Sequence, residues 1–394
     1  MPTPPLRDKT EGSDAIAVVM GDVDLVQALA LAGIRSALFA EPYAPARLSR
    51  HVVERLRWRD NWREHEGVAD VVLEYARRQH VPPVLFPQTD GDLVAISRHR
   101  AKLEGHALFL LADAQLIEDT VDKAGFARLA ARLELPVPRS QELDPRAATP
   151  RDLDLRLPIV VKPLVRDADV WKQVEPSAKA VRVETADELD ALWPRMAEAG
   201  IEVLAQEAIP GPETRMESYH AYVDAEGSLV AGFMGRKIRT LPARYGHSSA
   251  LELTAAEDVE RLGREVIERL GVRGVAKVDF KRDDDGRLWL LEINPRFTLW
   301  HHLAAVAGLN IPAIFFADRV GAPRPPVRPA RPGARWVQPS YDVRAARAHG
   351  VGLGAWLRFA RGCDAVSGAA LRDPLPFLPG VLWGPVARRV EARL

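Results

Sequence analysis

The sequence predicts an α/β protein in three parts, and three observations support that prediction. Strand-like and helix-like runs alternate through residues 1–118, which is the pattern of an α/β sheet. From Asp119 the pattern changes to a longer amphipathic helix, short buried strands and a hairpin. Residues 322–333 read APRPPVRPARPG, which is the composition of a linker. We therefore predict an N-terminal domain at 1–118, a central domain at 119–321, and a Pro/Arg-rich linker with a C-terminal extension at 322–394.

The N-terminal domain is predicted to be Rossmann-like in shape. Its β-rich runs are at 15–20, 36–40 and 81–87, and its helix-like runs are at 24–32 and 68–79. Gly21 follows the first strand, yet position 23 is valine, so no G-x-G-x-x-G pattern is present. Asp22 and Asp24 would also repel a pyrophosphate at the start of the next helix. We therefore expect this domain to lack the dinucleotide typical of its fold.

Composition and charge exclude several classes of partner. The chain has 394 residues, and its 54 basic side chains balance 54 acidic ones. A neutral chain has no overall field to hold nucleic acid or an anionic membrane surface. The longest apolar stretch, 303–316, is interrupted by Asn310 and Pro312 and is too short to span a bilayer. Since the N-terminal residues also lack the apolar run of a signal peptide, we expect a cytoplasmic protein.

The central domain is predicted to begin with an amphipathic helix over 120–135, with Leu129 and Leu133 on one face. Thr185 and Glu188 have the spacing of a capping box that opens a later helix. Strands are predicted at 158–163, at 179–183 and from 203 into a turn ending at 213, followed by a helix at 259–270 and a hairpin at 274–296.

The hairpin is the most informative segment of this domain. If Asp285 and Gly286 form a two-residue type I′ turn, the register places Asp279 opposite Glu292. Side chains alternate along a strand, so Asn294 shares the face of Glu292. Lys277 and Lys281 lie beside these oxygen-bearing side chains. The other face is predicted to join the core through Val278, Phe280, Trp289, Leu291 and Ile293.

Two interpretations of the polar hairpin face remain open on the hairpin alone. Two neighbouring carboxylates and an amide favour a hard cation such as Mg²⁺, which also takes oxygens from substrate phosphates. The alternative is a solvated strand face with cross-strand Lys–Glu pairs.

Residues 278–296, VDFKRDDDGRLWLLEINPR, resemble the metal-binding hairpin of ATP-grasp enzymes, whose second strand carries E-x-N. Asp122-Lys123, Val161-Lys162-Pro163 and the segment 206–211 resemble further family motifs and occur in the family's order. GRKIRTLPARYG at 235–246 and WHHLAA at 300–305 are similar to a bacterial subgroup of carboxylate–amine ligases that includes D-aspartate ligase. The resemblance covers roughly residues 15–320, and it implies a two-lobed ATP-grasp domain between the N-terminal domain and the C-terminal extension.

The resemblance implies a role for each matching residue. Lys123 and Lys162 would hold ATP phosphates. Gln206, with the backbone of Glu207 and Ile209, would line the adenine, and Glu213 would bind the ribose hydroxyls. Asp279, Glu292 and Asn294 would bind Mg²⁺, in two ions, with Mn²⁺ as an alternative metal. Arg236, Lys237 and Arg296 would hold the transferring phosphate or the substrate carboxylate.

Each role has a simpler alternative. Lys123 lies in the first turn of its helix, where the dipole disfavours a cation, although many helices carry a surface lysine there. Lys162 ends an apolar strand and would need an anion or a route to water. Gln206 suits a purine edge, but it is also an ordinary residue for a strand end. The basic residues of 236–247 suit bidentate anion contacts or a solvated loop. Of His301 and His302, one is expected to pack and the other to be exposed, although both could contact substrate.

One segment departs from the family. Many ATP-grasp enzymes have a glycine-rich loop over the phosphates, whereas residues 164–172 read LVRDADVWK and contain no glycine. Backbone amides approach phosphates less freely without glycine. We expect Arg166 or Lys172 to supply charge there instead.

The predicted function is therefore ATP-dependent ligation of a small-molecule carboxylate to an amine through an acyl phosphate, with release of ADP and phosphate. No protein nucleophile is required, and the single cysteine, Cys363, is expected to be buried or merely tolerated. The alternatives are an ATP-grasp carboxylase or kinase, or a nucleotide-binding regulatory module without catalysis.

Overall fold

The computed structural model describes residues 14–164, 168–176, 179–368 and 373–377. They form three β-sheets with helices packed on and between them. Arg166, which was expected to supply charge over the phosphates, lies outside the described residues.

The N-terminal sheet is parallel, has the strand order β3-β2-β1-β4, and confirms the α/β prediction. Its strands are β1 (Ala17–Met20), β2 (Ser36–Phe39), β3 (Val52–Arg55) and β4 (Val84–Pro87), and its helices are α1 (Val23–Ala30), α2 (His65–Arg77), α3 (Asp90–Arg98) and α4 (Arg100–Leu103). Strand β3 was not predicted, because Val-Val-Glu-Arg is short and only its first residue is buried. At the start of α1, Asp22 accepts a hydrogen bond from the backbone N–H of Asp24, so the acid serves as an N-cap.

The predicted helix at 120–135 is interrupted. The structure contains α5 (Ala114–Val121) and α6 (Lys123–Arg132), separated by Asp122. The Asp122 side chain accepts a hydrogen bond from Gly125 N–H at 2.6 Å, so it caps α6 and leaves Lys123 as the first helical residue.

The second sheet is small and antiparallel, with the order β5-β8-β6-β7. Its elements are β5 (Ser140–Leu143), β6 (Ile159–Pro163), α7 (Ala168–Lys172), β7 (Val181–Val183), α8 (Ala186–Glu198) and β8 (Val203–Glu207). Trp171, Trp193 and Met196 are buried in a core that is separate from the other two. This sheet is therefore a lobe with its own core.

The third sheet has seven strands in the order β13-β12-β9-β10-β11-β14-β15. The strands are β9 (Met216–Val223), β10 (Leu229–Leu241), β11 (His247–Thr254), β12 (Gly274–Arg282), β13 (Leu288–Asn294), β14 (Arg335–Val337) and β15 (Ala365–Val366), and the helices are α9 (Glu257–Arg269), α10 (Trp300–Val306), α11 (Ile311–Val320), α12 (Pro339–Ala348) and α13 (Leu353–Arg361). Val278 and Phe280 share one core with the N-terminal domain, while Phe233 and Trp300 belong to a second core on the opposite face. The large sheet is thus covered on both faces.

The first turns of α10 correct one expectation. Both His301 and His302 are buried, at 0% and 6% exposure, so neither is the exposed member of the pair. His302 Nδ1 lies 2.8 Å from Asp24 Oδ1 of the N-terminal domain, which explains why a polar ring is buried there. In the described part of the chain no single helix is long and apolar enough to cross a bilayer. Helices α10 and α11, which are bent by 94° relative to each other, are together long and apolar enough, by length and composition alone.

Candidate active site

The β12–β13 hairpin places Asp279 opposite Glu292 and Lys277 opposite Asn294. This is the predicted register at the polar face. The predicted two-residue turn is wrong, however, because the last strand pair is Arg282 with Leu288 and the loop between them is longer.

A bulge reconciles the longer loop with the predicted register. The register shifts between Asp279 and Phe280, so that Phe280 lies opposite Leu290. Strand β13 therefore has one extra residue, Leu291, just before Glu292. Leu288 and Leu290 are consequently buried, while Trp289 and Leu291 are only half-buried. The core face predicted near the loop was therefore wrong by one position.

Asp279 is a buried carboxylate, 1% exposed, surrounded by polar partners. Lys277 Nζ lies 2.5 Å from its Oδ2, and Ser218 Oγ donates to its Oδ1. Burial by itself raises the pKa of Asp279, but Lys277 and Lys237 outweigh that effect and lower it to about 2. Asp279 is therefore ionised, and the carboxyl group of Glu292 lies within hydrogen-bonding reach of it.

Asn294 and Arg296 continue this polar face toward the N-terminal domain. Asn294 Nδ2 donates to Glu292 Oε1 at 3.2 Å, and Arg296 Nη2 donates to Asn294 Oδ1 at 3.0 Å. Arg296 also bonds Asp90 Oδ1 at 2.5 Å and the backbone oxygen of Gln88 at 3.0 Å. The Arg296 guanidinium thus connects Asn294, a predicted metal ligand, to Asp90 at the start of α3.

The small lobe supplies a lysine to the other side of the cleft. Lys162 Nζ donates to Gln206 Oε1 at 2.9 Å, and Lys123 Nζ donates to the backbone oxygen of Pro163 at 2.7 Å. Burial lowers the pKa of Lys162, while the Glu292 carboxylate opposes that shift. Glu292 is on the large sheet, so Lys162 is on the side of the small lobe nearer the hairpin.

The predicted hinge begins where β8 ends. The backbone N–H of Glu207 donates to Arg139 O at 2.9 Å, which leaves this N–H unavailable to a nucleotide. Ile209 lies in the loop that follows, and Glu213 begins a 3₁₀ turn with its Oε1 3.6 Å from Lys281 Nζ. A cleft of about 450 Å³ opens beside this turn and is lined by Glu213, Lys281, Lys237 and Tyr245, among others.

The alternation of β10 separates two residues that were predicted to act together. Ser218 lies opposite Asp279 on one side and opposite Gly235 on the other, so Gly235 shares the face of Asp279. Lys237, two residues further on, is on the same face, in agreement with its effect on the pKa of Asp279. Arg236 points to the opposite face, where its Nη2 lies 2.7 Å from Glu252. The structure therefore does not bring Arg236 to the site, contrary to the prediction.

The rest of the basic segment is also divided. Arg239 forms a bidentate pair with Asp342 of α12, at 2.8 and 2.6 Å, and its guanidinium lies 4.2 Å from the centre of the Phe359 ring. His247, at the start of β11, instead contacts Lys179 of the small lobe at 2.8 Å. Sequence reasoning did not single out Lys179, because a lysine before a short strand carries no signal of its own.

The donors on the hairpin fit magnesium better than a metal that needs a complete protein cage. Among the described residues there is no group of three or more His, Cys, Asp and Glu side chains able to hold a metal ion. Asp279, Glu292 and Asn294 offer two carboxylates and an amide. Mg²⁺ is commonly bound by one or two carboxylates together with water and substrate phosphates, so this donor set fits it.

Comparisons with known proteins show what this chain is similar to. A family model described as "ATP-grasp in the biosynthetic pathway with Ter operon" matches residues 221–340. The D-aspartate ligase of Enterococcus faecium is 27% identical over 240 residues, which are 59% of this chain and 57% of the relative. Both matches are to ATP-grasp proteins or to a ligase, so the chain is similar to the ATP-grasp superfamily in this region.

Two further matches are to a second ligase and to the structure of a carboxylase. The D-alanine–D-alanine ligase of Alkalilimnicola ehrlichii is 29% identical to this chain over 169 residues, covering 41% of this chain and 51% of the relative. A biotin carboxylase–β,γ-ATP complex from Campylobacter jejuni has the same fold, with a TM-score of 0.62 at 12% identity and coverage of 81% of this chain and 74% of that one. The chain spans only 51–57% of the length of the two curated relatives.

Proposed function

We propose that this protein is an ATP-grasp ligase that joins a small-molecule carboxylate to an amine, using ATP and Mg²⁺ and releasing ADP and phosphate. The observation that carries the proposal is that Lys162, on the small lobe, interacts electrostatically with Glu292, which is paired with Asp279 on the large sheet. A cation of one lobe near a pair of carboxylates of another suits a metal-bound polyphosphate between them. The D-aspartate and D-alanine–D-alanine ligases among the relatives support the ligase reaction.

The residues of the site divide into three groups along the cleft. Gln206, Glu207, Ile209 and Glu213 would line the adenine and ribose. Lys123 and Lys162 would hold the phosphates. Asp279, Glu292 and Asn294 would hold Mg²⁺ in two ions, or Mn²⁺ in its place, and the metal would neutralise phosphate charge during transfer.

Lys237 and Arg296 would stabilise the negative charge that develops during transfer. A carboxylate oxygen of the acid would attack the γ-phosphorus, the bond to the ADP oxygen would break, and an acyl phosphate would form. The amine nitrogen would then attack the acyl carbon and lose a proton, and phosphate would leave with the electron pair of the broken C–O bond. The chain's role in both steps is to position the reactants and to stabilise charge.

No side chain need act as a nucleophile. Burial raises the pKa of Cys363 to about 12, so its thiol is protonated at neutral pH and poorly reactive. Cys363 Sγ also lies in the C-terminal extension, 3.4 Å from the backbone oxygen of Phe359.

The test is to trap the intermediate. The protein is incubated with ATP, Mg²⁺, hydroxylamine and a panel of amino acids and small carboxylates, and hydroxamates are detected by mass. We expect one acid class to yield a hydroxamate together with ADP and phosphate. Formation of AMP and pyrophosphate would contradict the mechanism, a stable phosphorylated product would indicate a kinase, and a product that depends on bicarbonate would indicate a carboxylase. Nucleotide binding without ADP formation across the panel would indicate a regulatory module.

A further inference from the structure

A contact between Lys179 and His247 joins the two lobes beside the candidate site. Lys179 precedes β7 in the small sheet, and His247 is the first residue of β11 in the large sheet. Lys179 Nζ lies 2.8 Å from His247 Nε2. Since Nζ of a charged lysine can only donate, the imidazole nitrogen must be the acceptor, and its ring must be neutral.

The surroundings of Lys179 include the groups already placed at the site. Burial lowers its pKa, Glu292 and Asp90 oppose that shift, and Lys237 and Arg296 reinforce it. Burial also lowers the pKa of His247, with Lys179 and Lys237 adding to the effect. These mutual effects place Lys179, His247 and Lys237 together, on the side of the cleft that faces Glu292.

The lysines of this group differ from neighbouring basic residues in their ion pairs. In the described part of the chain, neither Lys179 nor Lys237 has an ion-pair partner, whereas Lys277 is paired with Asp279 and Arg236 with Glu252. Lys179 and His247 are nevertheless exposed, so a ligand can reach them. Two ammonium groups near each other repel, and an anion between them would relieve that repulsion.

Lys179 lies at the end of the segment in which many ATP-grasp enzymes have a glycine-rich loop. Residues 164–178 contain no glycine, so a glycine-rich loop of the kind that covers phosphates with backbone amides is absent from this segment. Lys179 ends that segment and reaches across to the large sheet. A side-chain ammonium can cover a phosphate from the same direction as such a loop, and it would do so as a point charge.

We propose that Lys179, held by His247 and accompanied by Lys237, is a binding site for the terminal phosphate of the nucleotide. This inference rests on the proposed function, because it assumes that ATP lies between Lys162 and the hairpin. It assigns to Lys179 direct contact with the γ-phosphate and to His247 a positioning role. The β-phosphate and the adenosine are held elsewhere, so ADP should not require Lys179.

The experiment compares two nucleotides on the same protein. Dissociation constants for ADP and for the non-hydrolysable ATP analogue AMP-PNP are measured by calorimetry in Mg²⁺. We expect Lys179→Met to weaken AMP-PNP binding about tenfold or more, the value of a charge-assisted hydrogen bond, and to change ADP binding by less than about twofold. Lys179→Arg should restore most of the AMP-PNP affinity, and His247→Gln, which keeps an acceptor for Lys179, should weaken it less than Lys179→Met.

Lys102→Met is the matched control, because Lys102 pairs with Asp70 at 2.6 Å on the N-terminal domain, outside the candidate site. Its affinities should equal those of the wild type. Equal losses for ADP and AMP-PNP in Lys179→Met, or no loss for either, would overturn the inference while leaving the proposed function standing. If the wild type binds no nucleotide, the proposed function fails and this inference fails with it.

Discussion

The β12–β13 hairpin and the basic segment 236–247 lie on the same sheet, yet their polar residues behave differently. On the hairpin, Asp279, Glu292 and Asn294 converge on one face, as their spacing predicts. In the basic segment, Arg236 pairs with Glu252 on the opposite face and Arg239 with Asp342 of the C-terminal extension. Lys237 instead shares the face of Asp279, and His247 contacts Lys179 of the small lobe.

The difference shows that charged residues close together in the sequence are not always close together in the structure. The hairpin residues are separated by an even number of positions or lie opposite each other, so alternation brings them together. Arg236 and Lys237 are adjacent, so alternation separates them. The bulges between Lys237 and Thr240 then redirect Arg239 toward α12. The number of charged residues in a segment is therefore a weaker guide to a site than the face of the strand on which each residue lies.

The largest expected effect concerns the hairpin. Glu292→Gln should reduce Mg²⁺-dependent ADP formation by about a thousandfold or more, because a ligand carboxylate becomes a neutral amide at a metal-dependent step. The fold should persist, since Glu292 is exposed and the core face of β13 is unchanged. Circular dichroism checks the fold and a coupled ADP assay checks the activity. Wild-type turnover in this variant would remove the hairpin from the proposed mechanism.

The next effect separates Lys237 from the structural basic residues. Lys237→Met should lower kcat about a hundredfold, which is typical for loss of one charge-stabilising group, with ADP affinity nearly unchanged. The result is read from steady-state kinetics together with ADP calorimetry. A collapse of ADP affinity with kcat preserved would place Lys237 at the adenosine end of the nucleotide.

A third experiment addresses Arg239, which the structure assigns to stability. Asp342 is 0% exposed, and Asp342→Asn would leave the Arg239 guanidinium, itself only 11% exposed, without its counter-charge. We expect a loss of about 3 kcal/mol in the free energy of unfolding, measured in denaturant. Glu142→Gln, which removes an exposed pair with Arg128, is the control and should cost less than about 1 kcal/mol. Equal losses in the two variants would show that the buried pair has no special structural role.

The smallest expected effect is that of Arg236. Its side chain is 52% exposed and its partner Glu252 also binds Arg335, so Arg236→Ala should change kcat by less than about threefold and stability by less than about 1 kcal/mol. The same assays as for Lys237→Met provide the direct comparison. A loss of activity as large as that of Lys237→Met would mean that the two faces of β10 do not differ as the structure indicates.

Much of the fold was accessible from the sequence because its signals are local. The alternation in 274–296 predicted which residues meet at Asp279, whereas the helix predicted from residue 120 begins only at Lys123. The strand at 159–163 was found from its run of apolar β-formers. Strands β9, β10 and β11 were missed, and without β10 the opposite directions of Arg236 and Lys237 could not be predicted.

The sequence by itself determined the α/β class, the hairpin face that carries the predicted metal ligands, and the absence of a glycine-rich loop. Periodicity, capping and composition act over a few residues, so each can be seen in the sequence. Only the tertiary structure decided that Arg296 binds Asp90, that Arg239 binds Asp342 and that Lys179 meets His247. The partners in each pair are on different elements and far apart in the chain. Which elements come together depends on how the whole molecule buries its apolar faces, and no local pattern contains that information.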